Sequence, residues 1–486
     1  MKRALLVLFV AVNIHAQWTP QLDAEIEAAR VAWEVPGIGV TVVRDGKVVV
    51  AKGYGFRRHG SPERVDGHTM FDIASISKSF TAAAMATLVD EKKMAWDDPV
   101  RKHLPEFALA DPYRTQHITM RDLLAHRHGL ERADALFVFG DYTTAELIRR
   151  MRYLDEAQPF RTGVSYHNIA YAAAAEAIAR AAGMPFADLL RKRLLEPLGM
   201  TESSVAVHHD VGVKNFADGH SVSDGALKPI RARKALNILG ANAVNTTPHD
   251  LAKWLLFQLG DGTWEGKRLI SAAAMNEMHE PQAVITTTPE MRAARGVRFF
   301  AGYGLGWQVM DYHGHRMFWH SGGADGMPTY AAILPEEKIG VAVMVNTWHA
   351  PILHGTIAGR ILNELLGRES KPDWAGKLVP RAAELPARTP DTKPSVAPEQ
   401  YAGTYVDELY GDMVVTHANG KLTFQFGGGL TGELEHWHYD TFRLRWHERV
   451  YDWADTQVTF ALDASGKPAR VDFRAGRAEV SGVRQR

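Results

Sequence analysis

Ser75 and Lys78 stand three residues apart in the stretch Phe71-Asp72-Ile73-Ala74-Ser75-Ile76-Ser77-Lys78-Ser79-Phe80-Thr81, which runs into an almost wholly apolar segment ending at Asp90. Nothing from Ile76 to Met94 is Gly or Pro, so the stretch reads as a helix apolar on most sides and therefore buried. Residues three apart share a helix face, so the hydroxyl and the amine point the same way. The helix N-terminus directs unpaired N–H groups to the same spot. A nucleophile, a base and oxyanion donors would converge there. For Lys78 to accept a proton its pKa must fall from about 10.4 to near 7, roughly 4 kcal/mol of differential environment. Burial and the positive helix end both act in that direction. On these residues alone, a serine capping the helix beside a solvated lysine is an equal explanation.

Tyr166-His167-Asn168 follows a turn at Thr162-Gly163 and precedes a helical run from Ile169. Alternation along an extended segment puts the phenol and the carboxamide on one side. The phenol can relay a proton to a leaving group and the amide can bind a substrate carbonyl. By itself the motif reads first as an aromatic core residue before an N-cap asparagine. His320-Ser321-Gly322-Gly323, reached from Met317-Phe318-Trp319, reads as a strand ending at glycine. There a backbone N–H could approach a bound carbonyl: Gly323 would supply an oxyanion donor, with His320 and Ser321 facing substrate. The order S-x-x-K, Y-x-N, H-S-G joins three weak signals into one site.

Other chemistries fit less well. Gly219-His220-Ser221-Val222-Ser223 only approaches a G-x-S-x-G elbow. The 22 histidines include the pairs His313, His315 and His436, His438, but none has H-E-x-x-H spacing on a helix. No metal and no organic cofactor is expected in the site.

The elements that must position these groups are legible in outline. Leu22 to Trp33 reads as an amphipathic helix. Gly37 to Arg44, Asp45-Gly46 and Lys47 to Ala51 read as a hairpin around a primed turn. Thr119–Leu124, Thr144–Tyr153, Ile169–Ala182 and His249–Leu259 carry helical spacing, and strands return at Gly304–Met310, Tyr330–Leu334 and Ile339–Val345. Strands at both ends with helices between predict one antiparallel sheet with helices packed around it, an α+β fold.

The 486 residues suffice for two or three domains. Lys+Arg and Asp+Glu both number 56, so a net charge of +0 argues against nucleic acid or an anionic membrane surface as partner. With no cysteine, disulfides, thiolate metal sites and thiol nucleophiles are excluded. Lys2-Arg3, the apolar run Ala4–Val12 and Ala16 before Gln17 resemble a secretory signal peptide over 1–16, which implies a periplasmic or secreted protein with no later membrane span. A buried N-terminal strand is the alternative. Prolines at 372, 380, 386, 390 and 394 mark 371–397 as a linker between a domain at 17–370 and one at 398–486. Short strands and turns in the latter predict a small antiparallel barrel. Trp437, Tyr439, Phe442 and Trp446 would fill its core or line a ligand wall.

Taken together, the motifs resemble the class C β-lactamase and penicillin-binding-protein-like serine hydrolases, a family that includes D-Ala-D-Ala peptidases, D-aminopeptidases and esterases. Phe71-Asp72-Ile73-Ala74, Asp97-Asp98-Pro99-Val100, Leu104-Pro105, Leu195-Glu196-Pro197-Leu198-Gly199-Met200 and Gly340–Asn346 are also family-like, and the likeness covers about 17–367. It implies the family's antiparallel sheet flanked by helices, with an all-helical region. Ser75 would be the acylated nucleophile, Lys78 its base and Tyr166 the proton shuttle, with the N–H groups of Ser75 and Gly323 as the oxyanion hole. Tyr401-Ala402-Gly403-Thr404-Tyr405 resembles the start of the lipocalin-like barrel appended to some members.

His320 stands where β-lactamases have Lys and where peptidase and esterase-like relatives often have His. His167 stands where Ser is common, and His128 replaces the serine of the "LLxHxSGL" loop at Leu123–Leu130. These departures weigh against β-lactam hydrolysis more than against acylation. The expected substrate is a small amide, a short peptide that can contain D-amino acids, or an ester. A β-lactamase or carboxylesterase is the nearest alternative. A slowly acylating sensor of cell-wall fragments or β-lactams, or a binding protein, is the alternative from another class. A homo-oligomer joined through the barrel is also open.

Overall fold

A computed structural model describes residues 18–205, 213–223, 225–230, 237–242, 244–370, 374, 385–427, 429–447, 455–475 and 478–485. The expected signal peptide at 1–16 lies outside the described residues, as do 371–373 and 375–384 of the expected linker.

The hairpin forms as its turn residues dictate. Asp45 and Gly46 both take positive φ, 49° and 74°, the backbone a two-residue primed turn requires. It joins strands Gly37–Arg44 and Lys47–Gly55. These close an antiparallel sheet of eight strands, whose order is Ala283–Val284, Ala301–Tyr303, Gln308–Tyr312, His315–Ala324, Met327–Leu334, Ile339–Val345, Gly37–Arg44, Lys47–Gly55. The first strand of the chain pairs with the last of the domain, Val40 opposite Val343.

Side-chain parity assigns the two faces of the sheet. Phe318, Ile333, Ala342 and Met344 join one buried cluster with the helical region. Their neighbours Met317, Leu334, Val341 and Val343 join a second cluster with the helices Pro20–Ala32 and Leu353–Leu365. The helix Ser77–Asp90 lies on the first face with Asn168–Ala182 and Pro248–Leu259, and Phe80 stacks on Trp254 at 3.7 Å between ring centroids.

Two expected strands differ. Gly304–Met310 is not one strand: the chain turns between Ala301–Tyr303 and Gln308–Tyr312, with Gly306 at φ 77°. A Cβ on Gly306 would lie 2.5 Å from the Lys78 carbonyl, so the turn packs on the backbone of the helix that starts at Ser77. The strand through His320 does not stop at glycine either but runs to Ala324.

Eight further strands, from Gly403–Asp407 to Ala478–Arg484, close into a barrel when Tyr405 pairs with Arg484. Tyr405, Phe424, Phe442, Phe460 and Phe473 are buried there. Of the aromatic stretch expected in its core, Phe442 is buried, whereas Tyr439 is 57% exposed at positive φ in a turn, and Trp437 Nε1 donates to the Pro386 carbonyl. The barrel is tied to the first domain: Tyr142 Oη donates to Tyr410 O at 2.8 Å, Arg150 Nη1 to Leu409 O at 2.6 Å and Asp141 N to Gly427 O at 2.9 Å.

Candidate active site

Ser75 lies in a single 3-10 turn, Ala74–Ile76, that leads into the helix Ser77–Asp90. Ala74 takes φ 48°, a left-handed conformation that costs an L-residue about 1–2 kcal/mol. Its N–H donates to Asp72 Oδ1 at 2.7 Å, which holds the turn. Ile73 N donates to Val244 O, and Thr329 Oγ1 donates to Ile73 O, so strands on both sides grip the segment before the serine. No side chain caps either helix start, and Lys78 has no exposed surface. The pair is therefore neither a helix cap nor a solvated lysine.

Lys78 Nζ lies 3.0 Å from Ser75 Oγ, 2.8 Å from Asn168 Oδ1 and 3.2 Å from Ala241 O. Burial drives its pKa far below the ordinary lysine range; Asp134 opposes this and Arg132 adds to it. In its neutral form the amine has two N–H donors and one lone pair. Two of the three contacts are acceptors only, Asn168 Oδ1 and Ala241 O, so the lone pair is left for the Ser75 hydroxyl. Asn168 is held by Asp134, whose Oδ1 accepts from Nδ2 at 3.0 Å. Both ends of this amide are engaged, and the residue is the first of its helix. The N-cap is His167, whose Nδ1 accepts from Ala170 N.

Tyr166 Oη is 2.8 Å from Ser75 Oγ, and burial pushes its pKa up, so it meets the serine as a phenol. Lys78 Nζ stands 4.8 Å from the centroid of the Tyr166 ring. The Arg132 guanidinium, ion-paired with Asp134, stands 5.2 Å from the same centroid.

His320 shares the sheet face of Phe318 and is buried. Burial depresses its pKa to about 3, so the ring is neutral; Nδ1 donates to Ser321 O at 2.6 Å and Nε2 accepts from Tyr303 Oη at 2.8 Å. Both nitrogens are spent within the protein. Gly322 lies where the 3-10 turn meets the strand: a Cβ there would be 2.4 Å from Ile73 O and 2.3 Å from Thr329 Oγ1.

The register directs Gly323. Tyr312 and His315 flank the two-residue turn His313-Gly314, and Ala324 and Met327 flank Asp325-Gly326, so each is a hydrogen-bonded pair. Alternation then gives the even residues of His315–Ala324 to the strand Met327–Leu334 and the odd ones to Gln308–Tyr312. That second pairing ends at Trp319 opposite Gln308. The Gly323 N–H therefore points beyond the end of its neighbour strand. Ser75 N–H belongs to the first turn of its helix, where amides have no intrahelical partner.

Sequence reasoning missed Asp134, Ala241, Tyr303 and Asp122. Asp122 is fully buried; its Oδ1 accepts from Arg127 Nη2 and its Oδ2 from Arg161 Nη2, both at 2.7 Å, which ties the loop after Leu124 to the segment before Tyr166. Only Asp122 carried a local signal, the Thr119-x-x-Asp122 capping box. The others reach the site by tertiary contact alone. His126, His128 and His167 form a buried group whose Nδ1 atoms accept from the backbone N–H of His167, Leu130 and Ala170.

A serine between a buried amine and a phenol, at the foot of a helix packed on an antiparallel sheet, defines the class as serine hydrolases built like β-lactamases and transpeptidases. The Beta-lactamase family model matches residues 23–362, and the chain belongs to that family; a domain of unknown function (DUF3471) matches 387–483. Over 445 residues the chain is 27% identical to the unguisins hydrolase ungD of Aspergillus violaceofuscus, which spans 82% of this chain and 77% of that one. It is 27% identical over 317 residues to the D-alanyl-D-alanine-carboxypeptidase/endopeptidase AmpH of Escherichia coli (strain K12), 63% of this chain and 78% of that one. The octameric penicillin-binding protein homologue from Pyrococcus abyssi superposes with a TM-score of 0.64 at 23% identity, covering 95% of this chain and 99% of its own, which establishes a shared fold across both domains.

Proposed function

We propose that the protein hydrolyses small amides or short peptides, D-amino-acid-containing ones among them, or esters, through an acyl-enzyme on Ser75. The observation that carries this reading is Ser75 Oγ between Lys78 Nζ at 3.0 Å and Tyr166 Oη at 2.8 Å. The Ser75 hydroxyl gives its proton to the Lys78 lone pair as Oγ attacks the substrate carbonyl. The N–H groups of Ser75 and Gly323 hold the tetrahedral oxyanion. Tyr166 donates its phenolic proton to the leaving nitrogen or oxygen as the bond to the carbonyl carbon breaks, and the Lys78 ammonium returns a proton to the phenolate. Water then repeats the sequence on the acyl group, releases the acid and restores the serine.

Similarity to AmpH, a D-alanyl-D-alanine-carboxypeptidase/endopeptidase, supports a peptide substrate. A neutral His320 with both nitrogens engaged supports it as well, because the site then lacks the lysine cation that β-lactamases have at this position. The N-terminal run Ala4–Val12 supports secretion or a periplasmic location. Among the described residues no helix is long and apolar enough to cross a membrane. A homo-oligomer through the barrel belongs to the same reading, and light scattering after gel filtration tests it.

Labelling with a fluorophosphonate and a fluorescent penicillin, beside Ser75→Ala, tests the chemistry. The expected result is a Ser75-dependent fluorophosphonate adduct and turnover of D-amino-acid anilides or p-nitrophenyl esters. Adducts that persist for hours without turnover would instead identify a sensor. Absence of any Ser75-dependent adduct or turnover would sink the hydrolase reading.

A further inference from the structure

Three strands grip the nucleophile turn from the side away from His320. Phe71–Asp72 pairs with Val244–Thr246, which pairs with Ser204–Val205, Phe71 opposite Thr246 and Ser204 opposite Asn245. At the other end of this small sheet, His68 precedes the first strand, Glu202 precedes the third, and His249 follows the second in the first turn of the helix Pro248–Leu259. We propose that His68, Glu202 and His249 form a binding site for one divalent transition metal of the zinc class.

The geometry fits the ion. One ligand atom from each residue lies within 4.8 Å of the other two. Glu202 Oε2 is 3.1 Å from His68 Nδ1 and 3.7 Å from His249 Nδ1. Zinc bonds of 2.0–2.1 Å in a tetrahedron put its ligand atoms about 3.3 Å apart. The two separations bracket that value, and one nitrogen of each imidazole lies within 4.8 Å of the other, so side-chain rotation brings the three atoms onto one ion, with the fourth position open to water. Two imidazoles and one carboxylate are a donor set zinc accepts readily.

The ligands are also held. His249 N donates to Gly67 O at 3.0 Å, next to His68, and Glu202 N donates to the buried Asp250 Oδ2 at 2.8 Å, next to His249. Thr247 Oγ1 donates to Glu202 Oε2 at 3.1 Å and steadies the carboxylate. Each ligand is thus tied, through its own backbone or a neighbouring residue's, to the element that carries another. Such outer contacts orient metal ligands and set their affinity. Bound metal would clamp the loop before Phe71, the loop before Ser204 and the start of the helix after Thr247. These join the strands that lead to Ser75 and to Val244. The sequence conceals the trio, since His68 and Glu202 are 134 positions apart and no short motif links them.

The test uses the full chain freed of metal with EDTA and then dialysed. Calorimetric titration with ZnCl2 should give one equivalent bound and a rise in Tm, and CoCl2 should give the visible absorption of tetrahedral cobalt. His68→Ala and His249→Ala should each weaken zinc binding on the order of 100-fold, the upper end of what outer-contact losses alone cost. Each should also abolish the rise in Tm. Fluorophosphonate labelling of Ser75 in both variants checks that they are folded, because neither residue touches the catalytic groups. Zinc binding that survives both substitutions, or wild-type protein with neither saturable heat nor a Tm change, would overturn the proposal.

Discussion

Asn168 donates from Nδ2 to Asp134 Oδ1 at 3.0 Å, and this bond turns its Oδ1 toward Lys78 Nζ at 2.8 Å. A flipped amide would offer N–H to the amine and compete with Ser75 for the lone pair. Asp134 lies 34 residues away in sequence yet decides which atom Lys78 meets.

Asp134→Ala is expected to lower the rate of Ser75 labelling on the order of 10²-fold, the low end of what a positioned proton acceptor contributes. Asn168→Asp acts differently. Lys78 works as a base only above its own pKa, and a carboxylate beside the amine favours the ammonium. The acid limb of kcat/KM should therefore move to higher pH in Asn168→Asp and to lower pH in Asp134→Ala, where an anion that favours the ammonium has been removed. A labelling rate unchanged in Asp134→Ala would dismiss the orienting role.

Acid should unfold the protein early. His167, His279 and His320 are buried, and burial lowers each to about 3. An unfolded histidine titrates near 6.5, so between those values the unfolded chain binds more protons and stability rises with pH. The contribution is complete above about pH 6.5 and at pH 5 has fallen by roughly 2 kcal/mol per histidine. Tm measured from pH 7.5 to 4.5 should drop steeply below 6.5, and His167→Ser should flatten the slope. An unaltered slope in that variant would refute the assignment.

Gly322→Ala should separate stability from activity. The added Cβ would meet Ile73 O at 2.4 Å and push the turn that carries Ser75. Overpacking of this kind costs about 1–3 kcal/mol, which urea denaturation would read. Displacement of the nucleophile should lower kcat on the order of 10²-fold. Full kcat at reduced stability would mean that the turn moves without cost to the chemistry.

The barrel should influence the site through the Asp141–Arg150 segment. Arg150 donates to Glu408 O and Leu409 O, and hydrogen bonds from a charged group are worth about 1.5–3 kcal/mol. Arg150→Ala should loosen the barrel, hasten limited proteolysis in 371–397 and raise KM for peptides more than for p-nitrophenyl esters. Proteolysis at the wild-type rate would show that the contact does not hold the domains.

Local physics made much of this fold legible. Asp45-Gly46 admits a primed turn and hence a hairpin, and the apolar helix after Ser75 had to be buried. Where the sequence misled, tertiary contact overrode local preference. Glycine reads as a strand end, yet Gly322 sits inside a strand because the Ile73 carbonyl needs the space. The run Gly304–Met310 bends at Gly306 because it meets the Lys78 backbone.

By itself the sequence singled out Ser75, Lys78 and Tyr166 and their order along the chain, because helix period and strand alternation act over a few residues. Only the tertiary structure decided what state those groups are in. The Lys78 pKa falls far below the ordinary lysine range because surrounding elements strip the amine of water and leave two acceptors and one hydroxyl in reach. His320 is spent on its chain neighbour Ser321 and on Tyr303, which a second sheet strand brings to it. Protonation and orientation depend on desolvation and on partners far away in sequence, and no local pattern encodes them.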